Sequence, residues 1–274
     1  MNWIKKVAVA LAGLLPLGVQ AARVDTLRVQ SPSMRKTIEV VVVSPDAAAT
    51  KACPAIYLLH GYSGDARTWL GIKPDLPEIA DEKSLFFVCP DGENSWYWDS
   101  PLHADVRYET FISKELVEAI DARYNTVSAR EGRAITGLSM GGHGAMWNAL
   151  RHDDVFSAAG STSGGMDIRP FPENWEMSLQ IGAKADYPEN WETHTVIHLV
   201  PTLRKGRTAL IFDCGESDFF LEVNKNYHEA LLRQGIDHDF ITRPGNHDAH
   251  YWNNSIDYQI LFFRKHFLKT GTLP

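Results

Sequence analysis

The sequence predicts an α/β fold with a mostly parallel central sheet, helices on both faces and an antiparallel pair of strands at the N-terminal edge. Short apolar runs alternate with amphipathic segments along most of the chain, which is typical of βαβ units. The runs predicted as parallel strands are 55–59, 85–89, 133–138, 156–159, 209–213 and 239–242. Apolar residues recur at three-to-four spacing in the segments predicted as helices, which include 109–124, 219–234 and 251–267.

The N-terminal region predicts an export signal followed by the edge strands. Residues 1–21 combine two lysines, an apolar run over 7–19 and small residues at the usual cleavage positions, which is typical of a signal peptide. This run is too short to cross a bilayer as a helix. Residues 26–30 and 36–43 predict the antiparallel pair. We expect a secreted or periplasmic protein with one domain over 22–274 and no stable membrane anchor.

Charge and cysteine content exclude several classes of protein. The formal net charge is −7, which argues against nucleic acid as a partner. Cys53, Cys89 and Cys214 are odd in number and lack neighbouring ligands at zinc spacing. We therefore expect free thiols in the core, with no disulfide framework and no metal site.

Residues 165–207 interrupt the alternation of strands and helices. They contain four prolines, two tryptophans and the pentapeptide PENWE twice, at 172–176 and 188–192. Two five-residue copies do not make a repeat architecture. The region is predicted either as a surface insertion or as a cap with aromatic anchors over a pocket.

Residues 137–141 read GLSMG, which fits the pattern G-x-S-x-G between a predicted strand and a predicted helix. In that context the serine occupies a strained turn, and small residues two positions away avoid neighbouring backbone. The following helix N-terminus contributes partial positive charge and unpaired N–H groups. Ser139 is therefore predicted to be a nucleophile.

A nucleophilic serine needs a base and an acid, which in this topology follow it in the order acid, then histidine. His247 and His250 lie in the loop after the last predicted strand. We choose His247 and keep His250 as the alternative. Asp218 is preferred as the acid, although Asp213 and Glu216 lie in the same stretch.

An oxyanion site needs two backbone N–H groups. Met140 directly follows the serine and provides one. The second is predicted in the loop HGYSG after the first parallel strand, at Tyr62.

Five parts of the sequence are distinctive: YLLHGYSGDARTW, SWYWDSP followed by YETFISKELVEAIDARY, GLSMGGHGA, CGESD and PGNHDAHYW. Together they resemble the esterase D family of α/β-hydrolases, which includes tributyrin-type esterases, S-formylglutathione hydrolases, feruloyl and acetyl-xylan esterases, and mycolyltransferases. The resemblance covers nearly the whole mature chain and implies an α/β-hydrolase fold. It implies the same roles for Ser139, Asp218, His247 and the N–H groups of Tyr62 and Met140, and it favours His247 over His250. Ala249 departs from the family, which often has an aromatic residue there.

These features predict a secreted serine carboxylesterase that hydrolyses short-chain or carbohydrate-linked acyl esters through an acyl-enzyme, without a cofactor. An alternative is an acetyl-xylan or feruloyl esterase acting on plant polysaccharide, for which Trp98 and Trp175 are candidate substrate-binding residues. An alcohol acceptor in place of water would make the protein an acyltransferase. A catalytically inactive fold used for binding is disfavoured, because all three triad candidates are present in order.

Overall fold

The computed structural model describes residues 22–273, so the predicted signal peptide lies outside the described residues. Eight strands in this part of the chain form one sheet in the order β1-β2-β4-β3-β5-β6-β7-β8. The strands are β1 (Arg23–Ser31), β2 (Lys36–Ser44), β3 (Ala55–Leu59), β4 (Phe86–Pro90), β5 (Arg133–Gly137), β6 (Ala158–Thr162), β7 (Ala209–Gly215) and β8 (Asp239–Arg243).

The pairing of strands confirms the predicted fold class. β1 pairs antiparallel with β2, and β2 pairs antiparallel with β4. All pairs from β4 through β3 and β5 to β8 are parallel. The carboxyl ends of these parallel strands therefore meet at one edge of the sheet, where loops can bring distant side chains together.

Helices connect the strands and cover the sheet. They are α1 (Thr68–Ile72), α2 (Leu76–Lys83), α3 (Tyr108–Thr110), α4 (Leu116–Arg123), α5 (Met140–Arg151), α6 (Met177–Ile181), α7 (Pro188–Thr193), α8 (Leu221–Gln234) and α9 (Ala249–Lys269). A π-helical turn over Phe111–Glu115 joins α3 to α4, so the helix predicted over 109–124 is one element with a local change of pitch. None of the helices in the described residues has the length and apolar character needed to cross a membrane.

Two apolar layers pack on the sheet, one on each face. Side chains along β3 alternate between them: Tyr57 and Leu59 enter one layer, and Ile56 and Leu58 enter the other. The first layer contains residues of α4, α5 and α8, and the second contains residues of α1, α2 and α9. Each large apolar side chain that is fully buried contributes about 1.5–3 kcal/mol, so both layers stabilise the strands that carry the functional loops.

Two regions differ from the sequence prediction in detail. The strand predicted over 156–159 begins at Ala158 and continues to Thr162, because small and polar side chains there are buried against β5 and β7. Residues 165–207 form two short helices, α6 and α7, and a 3-10 turn over Val196–Thr202. Cys53, Cys89 and Cys214 are buried free thiols.

Candidate active site

Ser139 occupies the turn between β5 and α5. Its backbone angles are φ 55° and ψ −118°, a sparsely populated region for an L-residue that costs of order 1–3 kcal/mol. A Cβ atom at position 137 would clash with the carbonyl oxygen of Gly141, and one at position 141 would clash with that of Leu59. The two glycines of the motif are therefore required by close backbone contacts on both sides of the turn.

Ser139, His247 and Asp218 form a continuous chain of hydrogen bonds. His247 Nε2 lies 2.9 Å from Ser139 Oγ, and His247 Nδ1 lies 2.9 Å from Asp218 Oδ2. Because a carboxylate can only accept, Nδ1 carries the proton and donates to Asp218. Nε2 is then the acceptor for the serine hydroxyl, which is the arrangement that a general base requires.

The three side chains lie on loops that follow β5, β7 and β8. Two backbone hydrogen bonds, of 2.8 and 2.9 Å, tie the loop after β7 to the loop after β8. Asp218 is buried, and its Oδ1 accepts the Phe220 N–H at 2.8 Å. This bond fixes the carboxylate and leaves Oδ2 for the imidazole.

The alternative acid and base residues do not enter this chain of hydrogen bonds. Glu216 is exposed on the loop after β7, and His250 is exposed on the first turn of α9. Asp213 is fully buried within β7, where burial raises the pKa of its carboxyl group and hydrogen bonds partly oppose that effect. The side chains that donate to it, at 2.6–2.9 Å, are Thr162, Ser255 and Gln259. Within residues 22–273, no three His, Cys, Asp or Glu side chains are grouped to hold a metal ion.

The two predicted oxyanion donors are the N–H groups of Tyr62 and of Met140, the residue that directly follows Ser139. Tyr62 and Ser139 both line one cleft, which has a volume of about 480 Å³. Neither the Tyr62 N–H nor the Met140 N–H donates a hydrogen bond within residues 22–273. Met140 is the first residue of α5, whose N-terminus carries partial positive charge. Two unpaired donors beside a serine hydroxyl are what an oxyanion site requires.

Aromatic side chains form the wall of the cleft beside His247. The ring of Phe219 lies 4.3 Å from the imidazole, and the Trp252 ring is perpendicular to it at 5.1 Å. Trp175 stacks on Phe219 at 5.5 Å. Phe219 and Trp252 were not singled out from the sequence; their only signal is their proximity along the chain to Asp218 and His247.

Trp175 lines the cleft, but the prediction that Trp98 binds substrate is wrong. Trp98 is completely buried. Its ring stacks on Trp96 at 5.6 Å and contacts His143 edge-on at 5.1 Å. Burial lowers the pKa of His143 to about 3, so this cluster is a neutral aromatic core beneath the site.

Known proteins resemble this chain over most of its length. Residues 31–263 match the model of the Esterase family. An acetyl esterase from Caldicellulosiruptor saccharolyticus is 28% identical over 223 residues, which cover 73% of this chain and 79% of that protein. An esterase of Mycobacterium tuberculosis is 28% identical over 240 residues, which cover 76% of this chain and 52% of that longer protein. The solved structure of a ferulic acid esterase is 27% identical with a TM-score of 0.77, covering 90% of this chain and 99% of that chain. The chain thus belongs to the Esterase family and is a carboxylic ester hydrolase.

Proposed function

We propose that this protein is a secreted serine carboxylesterase that hydrolyses short-chain or carbohydrate-linked acyl esters. The observation that carries the proposal is the chain of two 2.9 Å hydrogen bonds from Ser139 through His247 to Asp218. In it Ser139 is the nucleophile and His247 is the general base. Asp218 holds the imidazole in the required tautomer and stabilises its charged form.

The reaction proceeds in two halves. His247 takes the proton of Ser139 as Oγ attacks the ester carbonyl, and the N–H groups of Met140 and Tyr62 hold the resulting oxyanion. His247 then protonates the leaving alcohol, and the acyl group remains on Oγ. A water molecule gives its proton to His247 and attacks the acyl carbon, after which the acid leaves and Ser139 recovers its proton.

The surroundings of His247 strengthen these steps. Phe219 and Trp252 contact its ring, and the side chain of His247 is only 16% exposed, which limits the access of water to the place where the imidazolium forms. Electrostatic interactions with Asp218 and the oxyanion are stronger where water is excluded. Each oxyanion donor is expected to lower the barrier by about 3–4 kcal/mol.

Replacement of Ser139 by alanine tests the assignment of the nucleophile. We expect S139A to lose turnover of p-nitrophenyl acetate by at least about 10⁴-fold, because no other hydroxyl replaces Oγ. Its unfolding temperature should stay close to that of the wild type. A fluorophosphonate probe, located by mass spectrometry, should label Ser139 only.

Ser217→Ala is the matched control, since Ser217 is an exposed serine on the loop next to Asp218. S217A should keep full turnover and full labelling. Turnover retained by folded S139A, or labelling of another residue in the wild type, would show that the nucleophile is not Ser139.

The aromatic wall supports a ring-bearing ester as substrate. Trp175 stacks on Phe219, whose ring packs at a tilt against His247, and His247 is the residue that protonates the leaving alcohol. Sugar rings and aromatic rings both pack against such faces. The similarity to a ferulic acid esterase and an acetyl esterase also supports an acetyl-xylan or feruloyl esterase acting on plant polysaccharide.

Relative rates on acetylated xylan, methyl ferulate and tributyrin separate these substrates. We expect Trp175→Ala to raise KM for the favoured ring-bearing ester by about tenfold, because loss of an aromatic contact costs about 0.5–1.5 kcal/mol. The rate on tributyrin, which has no ring, should change little. Tyr187→Ala is the matched control, since Tyr187 is an exposed aromatic residue of the 165–207 region outside the cleft. Equal losses in both variants would exclude Trp175 from the substrate site.

Cleavage after Ala21 is supported by the surroundings of Ala22. The Ala22 backbone nitrogen lies 2.6 Å from Asp81 Oδ2, so the ammonium group created by cleavage would already have a carboxylate partner. The mass of the exported protein tests this part of the proposal, because cleavage there leaves a chain that begins with Ala22.

A further inference from the structure

The loop after β4, residues 91–97, contacts two parts of the cleft that are far apart in the chain. One is the loop HGYSG, residues 60–64, which carries the Tyr62 N–H. The other is the pair Trp175 and Glu176, which we call the cap pair. No step of the reaction proposed above uses residues 91–97, so their contacts need a separate explanation.

Three hydrogen bonds join residues 91–97 to the HGYSG loop. The Gly92 N–H donates to His60 Nε2 at 2.7 Å, and the Tyr97 hydroxyl donates to the His60 carbonyl oxygen at 3.1 Å. The Ser63 N–H donates to Asn94 Oδ1 at 2.9 Å. Since Nε2 of His60 accepts, its Nδ1 carries the proton and donates to the Gly61 carbonyl oxygen at 2.7 Å.

The same loop also holds the cap pair. Asn94 Nδ2 donates to Glu176 Oε2 at 3.2 Å, and Trp96 Nε1 donates to the Trp175 carbonyl oxygen at 3.2 Å. Trp175 and Glu176 have φ values of 48° and 54°, which are unfavourable for residues other than glycine. Contacts to residues 91–97 therefore help to maintain a backbone conformation that the cap pair would not adopt alone.

Asn94 is the only residue among 91–97 whose side chain bonds both the HGYSG loop and the cap pair in the described residues. Its orientation is fixed chemically: the Ser63 N–H requires the amide oxygen, so the amide nitrogen must face the carboxylate. Partial burial and the nearby Glu176 carboxylate raise the pKa of the Tyr62 hydroxyl, which agrees with Glu176 lying beside the HGYSG loop.

We propose that Asn94 is a positioning residue that sets the Tyr62 N–H donor through Ser63 and couples it to the position of the cap pair. The inference rests on the proposed function, because it assumes that Tyr62 stabilises the oxyanion. Ser63 is bonded to Tyr62 and has a φ of 61°, so a shift of Ser63 turns the adjacent peptide. A displacement of about 1 Å in a catalytic group lowers the rate by about 10²-fold. A substrate that displaces Trp175 would therefore shift the Tyr62 N–H through Glu176, Asn94 and Ser63.

An exchange of donor and acceptor tests this bridge. Asn94→Asp keeps the acceptor for the Ser63 N–H but places a second carboxylate against Glu176. In N94D/E176Q the new amide at position 176 donates to the new carboxylate at position 94, so the bridge is restored with its polarity reversed and the net charge unchanged. We expect N94D to lower kcat for p-nitrophenyl acetate by about 10–100-fold with KM within about threefold, and N94D/E176Q to recover most of kcat.

A second measurement follows the oxyanion donor itself. A trifluoromethyl ketone adds to Ser139 and forms an anionic hemiketal, so its inhibition constant should rise in N94D in parallel with the fall in kcat and recover in the double variant. Asn125→Asp is the matched control: Asn125 Nδ2 also donates a hydrogen bond, to the carbonyl oxygen of Ala48 at 3.0 Å, but Asn125 lies outside the cleft. N125D should retain wild-type kcat and inhibition.

Three results would overturn the proposal: N94D with wild-type kcat, N94D/E176Q no better than N94D, or a fall in kcat that only follows a loss of folded protein in thermal unfolding. These results differ from failure of the proposed function. If the wild type neither hydrolyses esters nor is labelled at Ser139, the triad assignment itself is wrong.

Discussion

Asp213 and Asp218 are two buried carboxylates five residues apart that serve different purposes. Asp213 lies inside β7 and is surrounded by donors from β6 and α9, with the Arg243 guanidinium 3.5 Å away. Asp218 lies beyond the strand, where one oxygen accepts a backbone N–H and the other meets His247. Asp213 connects β6, β7 and α9 through its hydrogen bonds, while Oδ2 of Asp218 bonds to His247.

Burial alone does not separate the predicted catalytic carboxylate from the structural one, since both are buried. What distinguishes Asp218 is a strong hydrogen bond to a titratable ring whose other nitrogen contacts the Ser139 hydroxyl. Asp213 has more hydrogen bonds, but all of them end in the core. Substitution of each aspartate should therefore affect a different property, activity for one and stability for the other.

Asp218→Asn should have the largest effect. The amide cannot stabilise the imidazolium, and it favours the tautomer in which Nε2 carries the proton, so kcat should fall by about 10³–10⁴-fold. The free energy of unfolding should change by less than about 1 kcal/mol, because the amide oxygen can still accept the Phe220 N–H. Glu216→Gln, on the same loop, is the control and should keep full activity. Steady-state kinetics and chemical denaturation measure both effects. If folded D218N keeps most of its turnover, another residue must orient His247.

Asp213→Asn should show the opposite pattern. The new amide group would face the hydroxyl of Ser255 and the amide nitrogen of Gln259, which both donate to the present carboxylate. Unfolding free energy should fall by about 3 kcal/mol, while kcat of the folded fraction should stay within about threefold. Urea denaturation combined with active-site titration separates the two quantities. A large loss of kcat at unchanged stability would make Asp213 part of the active site.

Some of the site could be predicted from the sequence because it depends on the order of elements. Apolar runs that alternate with amphipathic helices indicated the parallel sheet. The turn at Ser139 was predicted from the G-x-S-x-G motif, whose two glycines are required by close backbone contacts. Asp218 was preferred over Asp213 because it lies beyond the strand, and the family resemblance favoured His247 over His250. The family and the ester hydrolase activity are confirmed by the comparisons; the residue roles stay predictions.

The rest depends on packing between distant segments. Phe219 and Trp252 become part of the cleft only because the loop after β7 and the first turn of α9 pack against His247, and no periodicity signals such a contact. Trp98 was mistaken for a surface residue because a tryptophan in a loop has the same local pattern whether it is buried or exposed. The helices α6 and α7 have five and six residues, which is too short for a helical pattern to be detected.

A third buried carboxylate, Glu109, extends the comparison to pH and should have the smallest effect. Burial raises its pKa, but hydrogen bonds from His152, Arg151 and Trp147 outweigh burial and lower it from 4.5 to about 2. The stability that Glu109 contributes is therefore present above pH 4.5 and lost as the pH falls toward 2. We expect Glu109→Gln to lower the unfolding free energy by about 2 kcal/mol at pH 7.

The pH dependence of this loss distinguishes Glu109 from Asp213. The difference in stability between wild type and E109Q should close as the pH falls from about 5 to about 2, because the wild-type carboxyl becomes neutral as well. Since burial raises the pKa of Asp213 above 3.8, the part of its contribution that depends on protonation is fully present below pH 3.8 and is lost as the pH rises through the raised value. The difference in stability between wild type and D213N should therefore narrow with rising pH, but the hydrogen bonds from Ser255 and Gln259 keep it from closing. Denaturation curves measured from acid to neutral pH show how each stability difference changes with pH, and Glu118→Gln at an exposed position is the control. If both differences change in the same direction with pH, Asp213 is held as a charged group.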